Sequence, residues 1–391
     1  MLNNNKVVWY DKKPFRKIID NVLFHGLKIL TNLDVRKKGS LDINKINKIL
    51  FIATGGIGDT LFSTFAIRGL REKFPHAQIW LLLNETYFDL FKTDPNINKA
   101  IAILPHGYKN FLSSINIIRK GKFDVAVVSH ALDYAGTVRP YLAGIKHIIG
   151  GMWYRTKFWF LLSNYREHQN YDRCLYNFIE CQLHIVKFLD CYPKNLRLGV
   201  YLLKDDYIKT EENLEKLGLR LEGTCIGFQI KTQSITKDWP PGKFIELGKK
   251  LLKHNPTLKI LLLGGPQDKK AGVLIADGIK KNNVFNLVGK TSLRESAVII
   301  NRLNVLVTGV TGMLHIAISL GTKTIALLGG PEYYERFGTI TPKNKKNIVI
   351  IKKPKICNPC NMRVCTNTSK CMDLITVDEV LEGIIRILEK K

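Results

Sequence analysis

Lys48-Ile-Leu-Phe-Ile-Ala53 runs into Thr54-Gly-Gly-Ile-Gly-Asp59, and Thr60 to Phe74 follows with helical periodicity that ends at Lys73 and Pro75. The first six residues form a nearly continuous apolar run, as a parallel strand buried on both faces must. Strand, glycine turn and helix together open a βαβ unit. The alternation continues with strands at Ile79–Leu83, Ile101–Leu104 and Val125–Val128 and helices at Tyr87–Phe91 and Asn110–Arg119. A helical stretch at Cys174–Leu189 and a polar passage around Tyr192–Leu219 interrupt it. It then restarts, with strands at Cys225–Gln229, Leu258–Leu263, Val284–Leu287, Val305–Val307 and Thr324–Leu328. Helices at Pro241–His254, Asp268–Lys280, Arg294–Asn301 and Thr311–Leu320 lie between them. The pattern predicts two doubly wound α/β domains with a hinge near 195–222 and a cleft between them, ligands binding at the carboxyl ends of the strands.

The domain plan is a basic amphipathic extension over 1–47, a first Rossmann-like domain over 48–200, a second over 201–376, and a C-terminal helix in 377–391 that can cross back onto the first domain. At 391 residues the chain is long enough for two cores. Sixty Lys and Arg against 33 Asp and Glu leave a net charge of +27, which calls for an anionic partner: nucleic acid, an acidic membrane face or a phosphorylated substrate. No apolar run reaches transmembrane length and Met1–Lys13 lacks a signal-peptide core, so the expected location is cytoplasmic. In the extension, Ile18, Ile19, Val22, Leu23, Leu27, Leu30 and Leu33 recur at helical spacing. That face either packs on the body or lies on an anionic bilayer.

Four motifs carry candidate chemistry. Gly55, Gly56 and Gly58 form a strand-to-helix turn suited to an anion or a close-lying substrate. Leu61 stands where a dinucleotide fingerprint needs glycine, and no phosphate-loop lysine follows. Asp59 at its mouth is either a helix cap or a general base. The second turn, Thr308-Gly-Val-Thr-Gly-Met-Leu-His315, places Thr311 and Gly312 where amides and a hydroxyl can hold phosphate oxygens, with His315 one turn in. The third, Thr236-Lys-Asp-Trp-Pro-Pro241, offers Lys237 as a cation at a strand's carboxyl end, or as an ordinary solvated lysine. The fourth comprises Cys357, Cys360, Cys365 and Cys371, a set suited to structural zinc or iron, or else to disulfides or free thiols. Cys174, Cys181, Cys191 and Cys225 read as reduced core residues. Residues 343–355, with six Lys and no acid, read as a solvated loop or an anion-facing patch.

Taken in order, these motifs resemble glycosyltransferase family 9, the heptosyltransferases of lipopolysaccharide assembly. The likeness runs from about Lys48 to Ile385. It includes Ile49 to Pro75, Leu142-Ala-Gly-Ile-Lys-His-Ile-Ile-Gly150, Lys237-Asp-Trp-Pro-Pro-Gly-Lys-Phe244, Leu262-Leu-Gly-Gly-Pro266, Asn286 to Leu293, Thr311 to Ala317 and Gly321 to Gly329. The resemblance implies a GT-B architecture, two facing Rossmann-like domains with the acceptor on the first and the nucleotide-sugar donor on the second. It also implies inverting transfer that needs no cofactor. Asp59 would then deprotonate the acceptor hydroxyl and Lys237 would hold the leaving diphosphate. Thr311, Gly312, Met313, Leu314 and His315 would line the phosphate site, with Thr232, Asp268 and Thr291 near the ribose and base. The implied donor is ADP-heptose and the implied acceptor an anionic inner-core glycolipid. The implied place is the inner face of the cytoplasmic membrane of a Gram-negative bacterium, by peripheral contact. A protein hydroxyl as acceptor, or a silent sugar-nucleotide-binding member, stay open as alternatives. The spread of basic residues and the lack of a recognised module argue against nucleic acid. Two departures stand out. Gly309-Val310 replaces the family's Asn-Asp, and Gln229-Ile230 replaces its Pro-Gly.

Overall fold

The computed structural model describes residues 24–29, 41–103, 108–130, 135–150, 158–163, 178–329, 345–354 and 371–389. The first domain is built on strands β1 (Lys48–Ala53), β2 (Gln78–Asn84), β3 (Lys99–Ile103), β4 (Val125–His130) and β5 (His147–Gly150). All are parallel, in the order β3-β2-β1-β4-β5. Its helices are α1 (Ile57–Lys73), α2 (Tyr108–Gly121), α3 (Ala135–Leu142) and α4 (Phe178–Lys187). The second domain begins with α5 (Lys204–Lys216). Strands β6 (Cys225–Gln229), β7 (Lys259–Leu263), β8 (Val284–Asn286), β9 (Val305–Gly309), β10 (Thr324–Gly329) and β11 (Ile348–Lys353) follow. They too are parallel, ordered β11-β10-β9-β6-β7-β8. Helices α6 (Pro241–His254), α7 (Lys269–Ile279), α8 (Leu293–Arg302), α9 (Gly312–Leu320) and α10 (Val377–Glu389) cover it. The result is the expected α/β GT-B plan.

The apolar runs read from the sequence are the sheet interiors. Every residue of β6, β9 and β10 is buried, as strands covered on both faces demand. One core continues across the domain boundary: Phe51, Phe62 and Phe65 of the first domain share a cluster with Leu261, Ile299 and Ile316 of the second.

Several expectations are corrected. The C-terminal helix does not cross to the first domain. Val380, Ile384 and Ile387 of α10 pack with Phe244, Trp239 and Ile325 inside the second. Residues 348–353, read as part of a lysine-rich loop, form edge strand β11, where Lys353 pairs with Glu379 of α10. Lysines on an edge strand keep it from pairing with another chain. The polar hinge passage contains the thirteen-residue helix α5, which buries only Thr210 and Leu214 and so shows almost no apolar stripe. Helix α3 and strand β5 were not anticipated either; Pro140 inside α3 hides the helix. Of the N-terminal extension, residues 24–29 and 41–47 are described, the latter with a short 3-10 turn at Ile43–Lys45. Residues 24–29 form a helix whose Phe24 and Leu27 pack with Val138, Phe158 and Leu161, so this part does sit on the body.

The interdomain segment is clamped from both sides. Thr64 Oγ1 of α1 accepts from the Gly199 N–H at 2.8 Å, and Ser319 Oγ of α9 donates to the Leu198 carbonyl at 3.1 Å. Arg68 of α1 donates to the carbonyls of Asn195 and Arg197. Farther along, buried Arg294 of α8 grips Asp206 of α5 through Nε (2.6 Å) and Nη2, and donates to the carbonyls of Tyr201 and, in the first domain, Asp89. The Arg294 hydrogen bond holds the Asp206 carboxyl below its usual range, against the opposing effect of burial. Arg294→Met leaves Asp206 without its counter-charge and frees two carbonyls. It should lower unfolding stability by roughly 2–4 kcal/mol, read by denaturant titration at neutral pH, and Asp206→Asn in the same chain should recover part of that loss.

Candidate active site

The two glycine turns of the sequence meet. Helices α1 and α9 start from the carboxyl ends of β1 and β9, and their first turns are in contact across the domain boundary. A Cβ added at Gly58 would lie 3.0 Å from the His315 ring, and one at Gly312 would lie 2.8 Å from Ile57 Cβ. Only glycine permits so close an approach at 312. Phe62, one turn further along α1, meets the His315 ring edge-on with centroids 4.9 Å apart.

Asp59 sits at the third position of α1, half-buried. Its Oδ2 accepts from the Gly56 N–H at 2.7 Å, so the capping role is present. That bond also fixes the carboxyl at the mouth of the turn, where a base would be needed. Thr60, Ser63 and Thr64 behind it are buried, and the Ser63 and Ser129 hydroxyls are hydrogen-bonded, tying α1 to β4.

On the opposite side, Thr311 caps α9, its Oγ1 accepting from the Met313 N–H at 3.2 Å. Gly312 and Met313 are half-buried, whereas the Leu314 side chain packs with Ile318, Ala326 and Leu328. Any part Leu314 plays at a ligand is therefore through its backbone. His315 is only 4% exposed, and burial lowers its pKa to about 4, outweighing the attraction of the Asp59 carboxylate. At neutral pH it is an uncharged ring seated between the domains. It adds no positive charge for a phosphate.

The loop after β6 packs against the end of β9, just before the Thr311 turn. Asp238 organises it: Oδ1 accepts from the Thr232 N–H at 2.7 Å and from its hydroxyl at 3.0 Å, and Oδ2 pairs with Lys231 Nζ at 2.8 Å. The Thr232 hydroxyl is thus engaged within the loop. Lys237 ends a short 3-10 turn, Ile235–Lys237, and Trp239 anchors the loop by donating to the Ile375 carbonyl at 3.1 Å. A Cβ at Gly309 would lie 2.9 Å from Thr232 Cγ2 and 3.3 Å from the Lys237 carbonyl oxygen. Glycine at 309 therefore lets the lysine loop press against the end of β9, which gives this departure a steric reason. The structure brings Gly58, Asp59, Gly312 and His315 together, and seats Thr232 and Lys237 on Gly309.

Asp268 and Thr291 form a separate group at the carboxyl ends of β7 and β8. Asp268 Oδ2 accepts from the Gly265 N–H at 2.9 Å, and the Thr291 and Ser296 hydroxyls lie 2.9 Å apart. The two turns touch through Gly289, whose N–H donates to the Gly264 carbonyl. Asp238 and Lys231 had been given no role in the sequence reading; the signal for Asp238 was an Asx-type residue inside an otherwise rigid Trp-Pro-Pro loop. Cys357, Cys360 and Cys365 lie outside the described residues, as does Cys174. Cys371 is half-buried at the head of a short 3-10 turn. Cys191 and Cys225 are buried as expected, Cys181 only half so, and burial pushes the thiols of Cys181 and Cys191 up to about 12, in keeping with unreactive thiols.

Two outcomes follow from this geometry. Gly312→Ala should drive Cβ into Ile57 and cost about 1–3 kcal/mol, measured as a lower thermal midpoint, while Gly321→Ala (φ +78°, open space) costs only local backbone strain. A His pKa lowered from 6.5 to about 4 means that the unfolded chain binds the proton first. Stability is then full above about pH 6.5 and falls as pH drops towards 4, by an amount on the order of 3 kcal/mol. His315→Gln should flatten that part of the stability–pH curve.

Residues 113–370 match glycosyltransferase family 9 (heptosyltransferase). The chain is 24% identical over 318 residues to lipooligosaccharide heptosyltransferase 2 of Haemophilus ducreyi, covering 78% of this chain and 88% of that one. Among solved structures, a family 9 glycosyl transferase from Veillonella parvula superposes with a TM-score of 0.72 at 19% identity, covering 88% of this chain and 98% of that one. The Escherichia coli ADP-heptose lps heptosyltransferase II does so with a TM-score of 0.68 at 22% identity, covering 87% and 98%. The facing glycine turns, the lysine loop seated on β9 and the family match along most of its length place this chain in glycosyltransferase family 9, the heptosyltransferases.

Proposed function

We propose that this enzyme moves heptose from ADP-heptose to a hydroxyl of the lipopolysaccharide or lipooligosaccharide inner core, inverting the anomeric centre. The observation that carries the mechanism is the meeting of α1 and α9. Two helix N-termini, each carrying about half a positive charge, face one site, and the only carboxylate in either first turn is Asp59. An anionic diphosphate suits the first-turn amides of Thr311 and Gly312, and Asp59 stands across from them on the first domain.

In this reading the acceptor hydroxyl attacks C1 of the heptose while Asp59 takes its proton. The bond from C1 to the β-phosphate oxygen breaks, and ADP leaves with the electron pair. Positive charge grows on the sugar ring as negative charge grows on the phosphate, so a base is needed on one face and fixed donors on the other. Lys237, on a loop held by Asp238 and Trp239, offsets the phosphate charge. Neutral His315 sets the spacing of the two helix starts without competing for a proton. The Asp268–Thr291 group, lateral to this site, is assigned to the ribose and base.

Relatives named as lipopolysaccharide and lipooligosaccharide heptosyltransferases support heptose transfer to that acceptor class, and the Escherichia coli structure described as an ADP-heptose lps heptosyltransferase supports the donor. The four cysteines 357, 360, 365 and 371 offer an all-thiolate set that suits structural zinc or iron. The metal would cross-link the segment that leads into Cys371 and α10 and would take no part in the transfer.

Asp59→Asn should reduce kcat by about 10²–10⁴-fold with ADP-heptose and a heptose-deficient core acceptor, while calorimetry shows donor binding within a few-fold of wild type. Lys237→Ala should instead weaken ADP and ADP-heptose binding together with turnover. Wild-type turnover in Asp59→Asn would remove the general-base assignment.

A further inference from the structure

The positive charge of the first domain is polarised. Residues 48–95, which hold β1, α1 and β2, carry five Lys and Arg against five Asp and Glu. Residues 96–163, which hold α2, α3 and the edge strands, carry nine against two Asp. Helices α2 and α3 pack on the sheet face away from α1, and the described helix 24–29 joins them through Phe24 and Leu27. None of these three helices contains a carboxylate. The nearest described one, Asp124, is spent on the N–H groups of Asn47 and Lys48.

Aliphatic side chains stand out among these cations. Leu112 and Ile117 of α2 are 43% and 40% exposed, and Ile29 is 59% exposed. Lys28, Arg119, Lys120, Lys122 and Lys146 are exposed on the same elements or at their ends. Exposed aliphatics set among cations, with no acid, match the chemistry of an anionic lipid surface. A nucleic-acid face would need no protruding Leu and Ile. The chain direction places this face usefully: α2 and α3 follow the carboxyl ends of β3 and β4, the same end of the sheet from which the Asp59 turn follows β1.

We infer that the outer face of the first domain, formed by α2 and helix 24–29, docks on an anionic bilayer and presents the Asp59 turn to a lipid-borne acceptor. The inference rests on the proposed glycolipid acceptor for its purpose, but the surface can be tested without any transfer. The full chain is sedimented with phosphatidylcholine vesicles with and without phosphatidylglycerol, at physiological salt. Binding should require phosphatidylglycerol and weaken as salt rises. The triple variant Arg119→Glu, Lys120→Glu, Lys122→Glu should lose roughly tenfold or more in partitioning. The pair Leu112→Ser, Ile117→Ser should weaken it with no change in charge. A control of equal charge on the second domain, Lys253→Glu, Lys280→Glu, Lys281→Glu, should stay within about twofold of wild type. Equal losses in the two triple variants, or no binding to anionic vesicles, would overturn the assignment. So would equal binding to vesicles without phosphatidylglycerol, or a preference for duplex DNA that the α2 triple abolishes while vesicle binding persists. Turnover on a detergent-dispersed acceptor should be unchanged in the α2 variants, which separates failure of this surface from failure of the transferase reading.

Discussion

The contact between the first turns of α1 and α9 is the constraint on which the rest of the structure depends. Two helix N-termini repel each other weakly, and their orphan N–H groups need partners. The chain answers with one acidic side chain, Asp59, bonded back to Gly56, and with a threonine cap at Thr311. It also removes side chains at Gly58 and Gly312, so that the backbones approach and the His315 ring fills what remains. A larger residue at either glycine would press the domains apart at this contact. The positive field left over is what the proposed diphosphate would cancel.

Holding that contact requires the domains to be joined elsewhere. The linker between Asn195 and Tyr201 is bonded to Thr64 and Arg68 on α1, to Ser319 on α9, and to Arg294 on α8. The same two helices that form the site thus also hold the hinge. One helix, α1, meets α9 with its first turn and holds the linker through Thr64 and Arg68 farther along. A core shared by Phe62, Phe65, Ile299 and Ile316 adds apolar burial to that coupling.

Much of this was legible in the chain itself. Buried parallel strands are apolar throughout, so β1, β6, β7 and β9 announce themselves, and each glycine turn marks the strand end from which a helix starts. Asp59, Thr311 and His315 stand out because they follow such turns, and Lys237 because it lies beside Trp-Pro-Pro on the loop after β6. What stayed hidden had physical reasons. Helix α5 is polar nearly all round, α3 carries a proline, and β11 reads as a lysine loop because an edge strand is protected by charge. That His315 is neutral comes from its burial, and the Phe62 ring of the other domain, a residue some 250 positions away, packs against it in a contact that no local pattern encodes. The role of Gly309 emerges only when the Thr232–Asp238 loop is seen resting on it.

The position of α10 has a bearing on how the molecule is made. Among the described residues all eleven strands are parallel, so every pairing spans a long crossover, and such topologies assemble slowly. The first domain has its five strands in hand once Gly150 has been synthesised, and its remaining helix soon after. The second is completed later: β11 and then Val380, Ile384 and Ile387 of α10 must follow, and they cover Phe244 and Ile325. Until α10 has been made, that apolar face is open to water and to other chains. The nascent protein thus passes through a state in which a finished half is tethered to an uncovered one, the condition under which newly made α/β proteins most need a chaperone.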